Sequence, residues 1–153
     1  METLFEDYLD LLGNLHENCK LAIKGLSQDA LDWKPNPSMN SICVLINHLV
    51  GAERYWIGDF IMKEPSGRDR NQEFQTNGFD SYELSQMLDD GLAYIQNSLG
   101  DLTVQELEDI QIMPGGGQKY TSGWAILHVL EHIALHLGHI EVTRHMWESR
   151  FDN

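Results

Sequence analysis

The chain has 153 residues, a length typical of one domain that buries roughly 70% of its unfolded surface. With 42% hydrophobic and 22% charged residues, its composition is that of a globular protein rather than a disordered one. The 24 acidic and 10 basic side chains give a formal net charge of −14 with His neutral. Binding to nucleic-acid phosphates or to anionic lipid needs a basic surface. We therefore expect no nucleic-acid partner and no membrane partner.

The N-terminal segment and the cysteines indicate the compartment. The chain starts without the positive region and apolar run of a signal peptide, and no apolar stretch approaches the ~18 residues of a membrane span. Cys19 and Cys43 each lie in an apolar helical pattern, which favours reduced core thiols over a disulfide or a reactive site. We expect a soluble cytoplasmic protein.

The first half of the chain predicts two long helices. In residues 3–26 apolar side chains recur at steps of three and four, as on one face of a helix. Residues 31–37 contain two prolines and are expected to be extended. A second apolar pattern should begin at Asn40 or Ser41, both good N-cap residues, and end before Pro65.

A polar loop and a third helix follow. Residues 64–78 are polar and show no periodicity, which is typical of a loop. Asp80 with Glu83 forms the pattern of a capping box, in which each side chain satisfies a backbone N–H at the start of a helix. The third helix should extend to Leu99, and Gly100 fits the C′ position.

The last third of the chain predicts a connection and a fourth helix. Residues 101–120 include the triple glycine 115–117, which we interpret as a flexible loop because no Gly-Lys-Ser/Thr and no preceding strand pattern accompany it. The fourth helix should cover residues 121–149, and no alternating strand pattern is present. Four amphipathic helices predict an all-α four-helix bundle, with residues 1–153 as a single domain.

Histidines are concentrated on the fourth helix. His128, His132, His136 and His139 lie within about 80° of one another at ~100° per residue, on a helix whose intervening residues are apolar. A buried imidazole needs a polar partner, and two imidazoles at i, i+4 can bind one divalent ion at ~2.1 Å. The stripe is about 16 Å long, so one ion cannot bind all four side chains. The spacing leaves both 128/132 and 132/136 open as the ligand pair.

A third ligand would have to come from another helix. His48 lies on the inward face of the second predicted helix, and His16 lies on the apolar face of the first. The alternative is that these are scattered core histidines, each satisfied by a hydrogen bond. We favour a metal site, because four aligned imidazoles on a buried helix are harder to explain as core residues.

Two segments resemble the signatures of a known family. Residues 33–42 (WKPNPSMNSI) and 47–56 (NHLVGAERYW) resemble the helix-two signature of the DinB-like (YfiT-like) family of metalloenzymes. Residues 131–140 (EHIALHLGHI), with Arg144, resemble its helix-four signature, a His-x-x-x-His followed by Gly and a polar residue. The order and separation of these segments also match, and the four-helix pattern covers nearly the whole chain.

The resemblance implies a metal held by one His of helix two and two residues of helix four. On this sequence these ligands are His48, His132 and His136. Some members carry a carboxylate at the position of His132, and three imidazoles suit Zn, Ni or Fe(II) about equally. For His128 and His139 the resemblance favours contacts beside the ligands or in the pocket over ligation.

Three protein ligands leave open positions on the ion, as in catalytic sites. An ion of this kind can lower the pKa of a bound water or thiol. DinB-like relatives include transferases and isomerases that use a low-molecular-weight thiol, so the resemblance implies a thiol-dependent transferase or isomerase acting on a small molecule. A metal-dependent hydrolase that uses bound water and a non-catalytic metal-binding or stress-response protein are the alternatives. A homodimer through helix faces is compatible with a bundle.

Thiol binding favours basic groups near the open position of the ion. The sequence has only ten Lys and Arg, and Arg144 lies ~120° from the direction of His132, which weakens the thiol hypothesis. Glu53 and Glu131 also lie off the His directions of their helices. We therefore expect them to be exposed, or to contact the site indirectly, rather than to act as general bases.

Overall fold

The structure is a computed structural model that describes residues 2–100 and 102–150. Four long helices form the body of the fold. Short elements fill the connections between them. The elements in chain order are α1 Thr3–Ile23, α2 Gln28–Asp32, α3 Ile42–Arg54, a π-helix Tyr55–Met62, α4 Arg70–Glu73, α5 Ser81–Leu99, a 3-10 helix Val104–Glu108, β1 Ile110–Ile112, β2 Lys119–Thr121 and α6 Ser122–Ser149.

The predicted all-α bundle is confirmed. Helix α1 packs against α5 and α6, and α3 packs against the same two helices, so the apolar faces of all four meet along one central core. Burial of these faces is the main stabilising contribution to the fold. Large side chains that are fully buried in this core include Leu12, Ile23, Ile46, Leu49, Ile57, Leu88 and Ile95.

Side-chain caps set the starts of three of the four long helices, α3, α5 and α6. The Ser41 hydroxyl accepts a hydrogen bond from the backbone N–H of Val44, which confirms the predicted start of α3. Asp80 and Glu83 form the predicted capping box at the start of α5. Thr121 accepts from the N–H of Trp124 at the start of α6. These caps fix where α3 and α6 begin. They thereby help to set which turns of the two helices, and so which inward side chains, face each other.

The ends of two predicted helices required correction. Helix α1 ends at Ile23, not at 26, because Gly25 adopts φ +77 and turns the chain out of the helix. Residues 31–32, predicted as extended, belong to the short helix α2. At the end of α5, Gly100 has φ −59 and ψ −30, so it does not adopt the left-handed conformation typical of C′.

The sequence showed no strand pattern, and the structure adds a short hairpin that was not predicted. A two-stranded antiparallel hairpin pairs Ile110 with Thr121, Gln111 with Tyr120 and Ile112 with Lys119. Strands of three residues are too short for an alternating pattern to stand out. Glycines 115–117 all have positive φ and form the turn of this hairpin.

Two further features were not predicted. The second helix does continue to the region before Pro65, but from Tyr55 to Met62 it is a π-helix. The loop 64–78 contains the short helix α4. Both cysteines are free and buried, as predicted. In the described part of the chain, no helix combines the length and apolar character that crossing a bilayer requires.

Candidate metal centre

Helices α3 and α6 bring three imidazoles together at their crossing. His48 from α3 meets His132 and His136 from α6, and one ring nitrogen from each lies within 4.8 Å of the other two. The Nε2 atoms of His48 and His132 are 3.2 Å apart. Two nitrogens that each lie ~2.1 Å from one tetrahedral ion are separated by about 3.4 Å. The three side chains therefore stand at a spacing that could hold a metal ion.

Of the two histidine pairs that the spacing left open, the structure brings 132/136 together with His48. The group that could hold an ion contains His132 and His136, whereas His128 lies outside it. The ring centroids of His132 and His136 are 4.4 Å apart, and those of His128 and His132 are 5.7 Å apart. The level at which His48 enters from α3 selects 132/136 over 128/132.

All three rings are neutral at physiological pH. Burial, together with the neighbouring His136 and His48, lowers the pKa of His132 to about 3. Burial lowers the pKa of His136 to about 4, with contributions from His48 and His139. The pKa of His48 is lowered as well, chiefly by burial, although its hydrogen bond to Glu73 opposes that shift. The lone pairs needed for coordination are thus free of competing protons.

A buried carboxylate orients His48. Nδ1 of His48 lies 2.9 Å from Oε2 of Glu73, and Arg68 donates to the same oxygen from Nη2 at 2.8 Å and to Oε1 from Nε. A carboxylate accepts, so the His48 Nδ1 carries the hydrogen and its Nε2 presents a lone pair toward His132. Such a partner fixes the ring and makes the imidazole a better metal ligand.

Glu73 and Arg68 were not predicted as site residues from the sequence. Both residues lie in or next to the loop that was predicted from its polarity alone, far along the chain from their contact with His48. Nothing in the local pattern distinguishes this pair from the many other charged residues of the chain. The available signal is Gly51, one turn after His48, because a Cβ at this position would overlap the Glu73 carboxylate.

The surroundings of His136 are also those expected for a ring that binds a metal ion. The Nδ1 atom of His136 is buried and has no hydrogen-bond partner among the described residues. Buried polar atoms without a partner are uncommon and destabilising. A cation at this group of imidazoles would give the ring the interaction that its surroundings lack.

A cavity of about 710 Å³ opens beside the centre. His48 and His132 contribute to its wall, so at least two of the three imidazoles can be reached from outside. The rest of the lining is mostly apolar or aromatic, with two arginines and one aspartate. The lining residues used below are Tyr55, Trp56, Asp59, Arg68, Arg70 and Met113.

The arginines that line this cavity correct an expectation from the sequence. Arg144 does not serve the site: its Nη1 donates to the carbonyl oxygens of Leu21, Ala22 and Lys24 and so caps the end of α1. Arg68 and Arg70 lie at the cavity instead. A shortage of basic groups therefore no longer weighs against binding of an anionic thiol.

Comparison with known proteins now assigns the chain to a family. Residues 4–152 match the family described as "Protein of unknown function (DUF1572)". The chain belongs to this family. No functionally curated protein matches the sequence.

Two solved structures share the fold. One is the crystal structure of a conserved protein from Enterococcus faecalis, with a TM-score of 0.79 and 14% identity over 95% of this chain and 97% of that one. The other is the crystal structure of a DinB-like protein from Bacillus cereus ATCC 10987, with a TM-score of 0.75 and 12% identity over 94% of this chain and 92% of that one. The DinB-like resemblance predicted from the sequence is confirmed.

The remaining histidines of interest lie outside the group of three. His128 stacks on Trp124, with ring centroids 4.7 Å apart, and its Nδ1 lies 3.2 Å from a carboxylate oxygen of the exposed Glu131. His139 lies 5.5 Å from His136 between ring centroids, at a separate cavity of about 260 Å³.

His16 belongs to another part of the core. Its Nδ1 lies 2.9 Å from the carbonyl oxygen of Leu88, and its Nε2 lies 3.1 Å from Oε1 of Glu53. A polar partner thus faces each ring nitrogen, so the buried imidazole is satisfied within the core. Glu53 is 1% exposed, so the expectation that it would be exposed or contact the site was wrong: its partner is a histidine of α1.

Proposed function

We propose that the protein is a metal-dependent enzyme that activates a low-molecular-weight thiol for transfer to, or isomerisation of, a small-molecule substrate. The observation that carries this proposal is the set of three neutral imidazoles of which two line an accessible cavity. A structural metal site would be closed by a fourth protein ligand, whereas three ligands beside a cavity leave room for an exogenous group. The DinB-like resemblance supports thiol chemistry at this position.

His48, His132 and His136 would hold the ion, and their nitrogen donors suit Zn, Ni or Fe(II). When bound, such an ion supplies a lowered pKa for a thiol or a water in its open position. The described side chains supply the rest of the site. Glu73 and Arg68 hold His48 in the ligating orientation. Tyr55 and Trp56 line the cavity, where they exclude part of the solvent from the reaction.

Metal content tests the ligand assignment. Elemental analysis of untagged protein should give about one transition-metal ion per chain, as expected for one three-ligand site. His48→Ala, His132→Ala and His136→Ala should each lose most of it. His145→Ala is the matched control, since His145 is exposed on the same helix as two of the ligands. Full stoichiometry in His132→Ala would refute the assignment.

Cobalt spectroscopy tests the chemistry. A small thiol added to cobalt-loaded protein should produce a sulfur-to-metal charge-transfer band, which imidazole ligands alone cannot give. A spectrum that several small thiols leave unchanged would contradict thiol activation. If metal is bound but thiol is not, hydrolysis of a small ester or amide would indicate the hydrolase alternative, and its absence would indicate a non-catalytic metal-binding protein.

The same proposal assigns a small-molecule substrate and a cytoplasmic location. A cavity of about 710 Å³ is within the usual range for small-molecule sites. A surface with a net charge of −14 disfavours nucleic acid. Electrophoretic mobility shifts with DNA and RNA should accordingly show no binding at physiological salt.

A further inference from the structure

The charges around the cavity are unequally partnered. Arg68 is neutralised by Glu73, to which it donates from two of its nitrogens. Asp59 accepts from Arg54 at 3.1 Å and from the backbone N–H of Ser66 at 3.0 Å. Arg70 has no carboxylate within ion-pair distance among the described residues. Of the charged side chains that line the cavity, it is therefore the one whose charge remains available to a ligand.

Arg70 is also held close to the metal centre. Its guanidinium lies over the ring of Phe74, 5.1 Å from the centroid, and that ring packs on the His48 ring with centroids 5.1 Å apart. A cation–π contact of this kind restrains an otherwise exposed side chain. The guanidinium thus lies at the cavity, and only the Phe74 ring separates it from the proposed metal ligand His48. Its N–H groups donate no hydrogen bond among the described residues.

The cavity also has an aromatic lining residue, Trp56, that its neighbours hold in place. Trp56 lies edge-to-face against Trp124, His128 and Tyr120, with ring centroids 5.3, 5.1 and 5.9 Å apart. Met113, from the hairpin, lines the same cavity. Because its neighbours restrain the indole, this wall offers a fixed apolar surface to a flat ligand at little cost in side-chain entropy.

The net charge of the whole chain also favours anion binding at the cavity over the rest of the surface. With 24 acidic side chains against 10 basic ones, most of the surface repels anions. One of those ten basic side chains, Arg70, lines the cavity without a carboxylate partner among the described residues, and the proposed ion would add further positive charge there. Anions should therefore accumulate at this cavity rather than elsewhere on the molecule.

We infer that the second substrate of this site is an aromatic carboxylate, with its carboxylate paired to Arg70 and its ring against Trp56 and Met113. This inference rests on the proposed function for the identity of the reaction, but not for the binding itself. A guanidinium pairs with a carboxylate through two parallel hydrogen bonds, which positions the ring as well as binding the charge. The paired carboxylate would leave the open position of the ion to the thiol.

Binding of benzoate tests the inference. Dissociation constants are measured by ligand-observed NMR on metal-free and on zinc-loaded protein, with benzamide as the neutral analogue and acetate as the anion without a ring. Benzoate should bind at least tenfold more tightly than either analogue, because each lacks one of the two interactions. Arg70→Ala should weaken benzoate about tenfold, and Arg70→Lys should weaken it less.

Lys34→Ala is the control, since it removes one positive charge from an exposed residue that does not line the cavity. Circular dichroism of each variant verifies folding, and Arg70 is exposed, so its replacement should not disturb the core. Equal binding of benzoate and benzamide, or retention of benzoate affinity within twofold in Arg70→Ala, would overturn the inference. Failure of the proposed function gives a different result: zinc is not taken up, while benzoate binding to metal-free protein still depends on Arg70.

Discussion

A methyl group added at Gly51 should weaken metal binding without touching a ligand. Gly51 lies on α3 one turn after His48, and the Glu73 carboxylate occupies the space that a Cβ would need. Gly51→Ala must therefore push Glu73 away from Nδ1 of His48, where it now accepts at 2.9 Å. The His48 ring loses the contact that fixes its tautomer and orientation.

The expected loss of metal affinity follows from the role of the contact between Glu73 and His48. Loss of a hydrogen-bonded partner of a metal-ligating His typically weakens metal affinity 10- to 100-fold. This corresponds to about 1.4–2.7 kcal/mol. Glycine to alanine in a helix interior otherwise stabilises by about 0.5–1 kcal/mol, so any loss of stability in this variant reports the displaced carboxylate.

Gly138→Ala supplies the matched control. Gly138 lies within α6, close to His136, yet a Cβ there would meet nothing within 4 Å. It carries the same gain in helix propensity but no overlap. Its metal affinity should equal that of the unmodified protein, and its melting temperature should be equal or higher.

The assay is competition for zinc with a chromogenic chelator at fixed pH, followed by thermal melts of both variants. We expect the dissociation constant of Gly51→Ala to rise at least tenfold over that of Gly138→Ala. If the two variants bind zinc within twofold of each other, Glu73 does not support metal binding by His48 in the way that the structure implies.

Three other predictions concern stability. In chelated protein, unfolded histidines bind protons below about pH 6.5 while His132 and His136 stay neutral when folded, their pKa values being about 3 and 4. Stability should thus fall by about 2–3 kcal/mol from pH 6.5 to 5. In urea melts, the double variant His132→Gln/His136→Gln should show a smaller fall. Chelation should leave the helical circular dichroism intact but lower the melting temperature, by the equivalent of about 2.7 kcal/mol at free metal a hundredfold above the dissociation constant. His16→Leu should cost about 3–5 kcal/mol in urea unfolding by leaving Glu53 buried and unpaired, unlike Glu17→Ala on the exposed face of α1.

Local patterns predicted much of the fold and part of the site. The i, i+4 spacing of His132 and His136 is a property of one helix, and the caps at Ser41 and at Asp80 are short-range signals. The bundle follows from apolar periodicity alone. The choice against His128 depended on the level at which α3 crosses α6, which no single-helix pattern encodes.

The missed features are those decided by contacts between distant segments. Glu73 meets His48 across 25 residues of sequence, and the π-helix is a change in backbone hydrogen-bond register that apolar periodicity does not distinguish from an α-helix. The pairing of Arg54 with Asp59, five residues apart, matches that wider turn. The hairpin places Tyr120 against Trp56, with ring centroids 5.9 Å apart, a contact between distant segments that strand propensity does not encode.

The contact between Glu73 and His48 has a consequence for the segment that carries it. Opening of residues 64–79 would withdraw the carboxylate, so this local unfolding and metal release are thermodynamically coupled. Coupling of this kind is reciprocal: an ion that binds more tightly to the closed form must favour closure by the same factor. Metal should therefore slow tryptic cleavage after Arg68 and Arg70 and slow amide exchange in α4, while leaving exchange in α1 nearly unchanged. The rate at which a protease cleaves this segment would then depend on whether the site holds a metal ion.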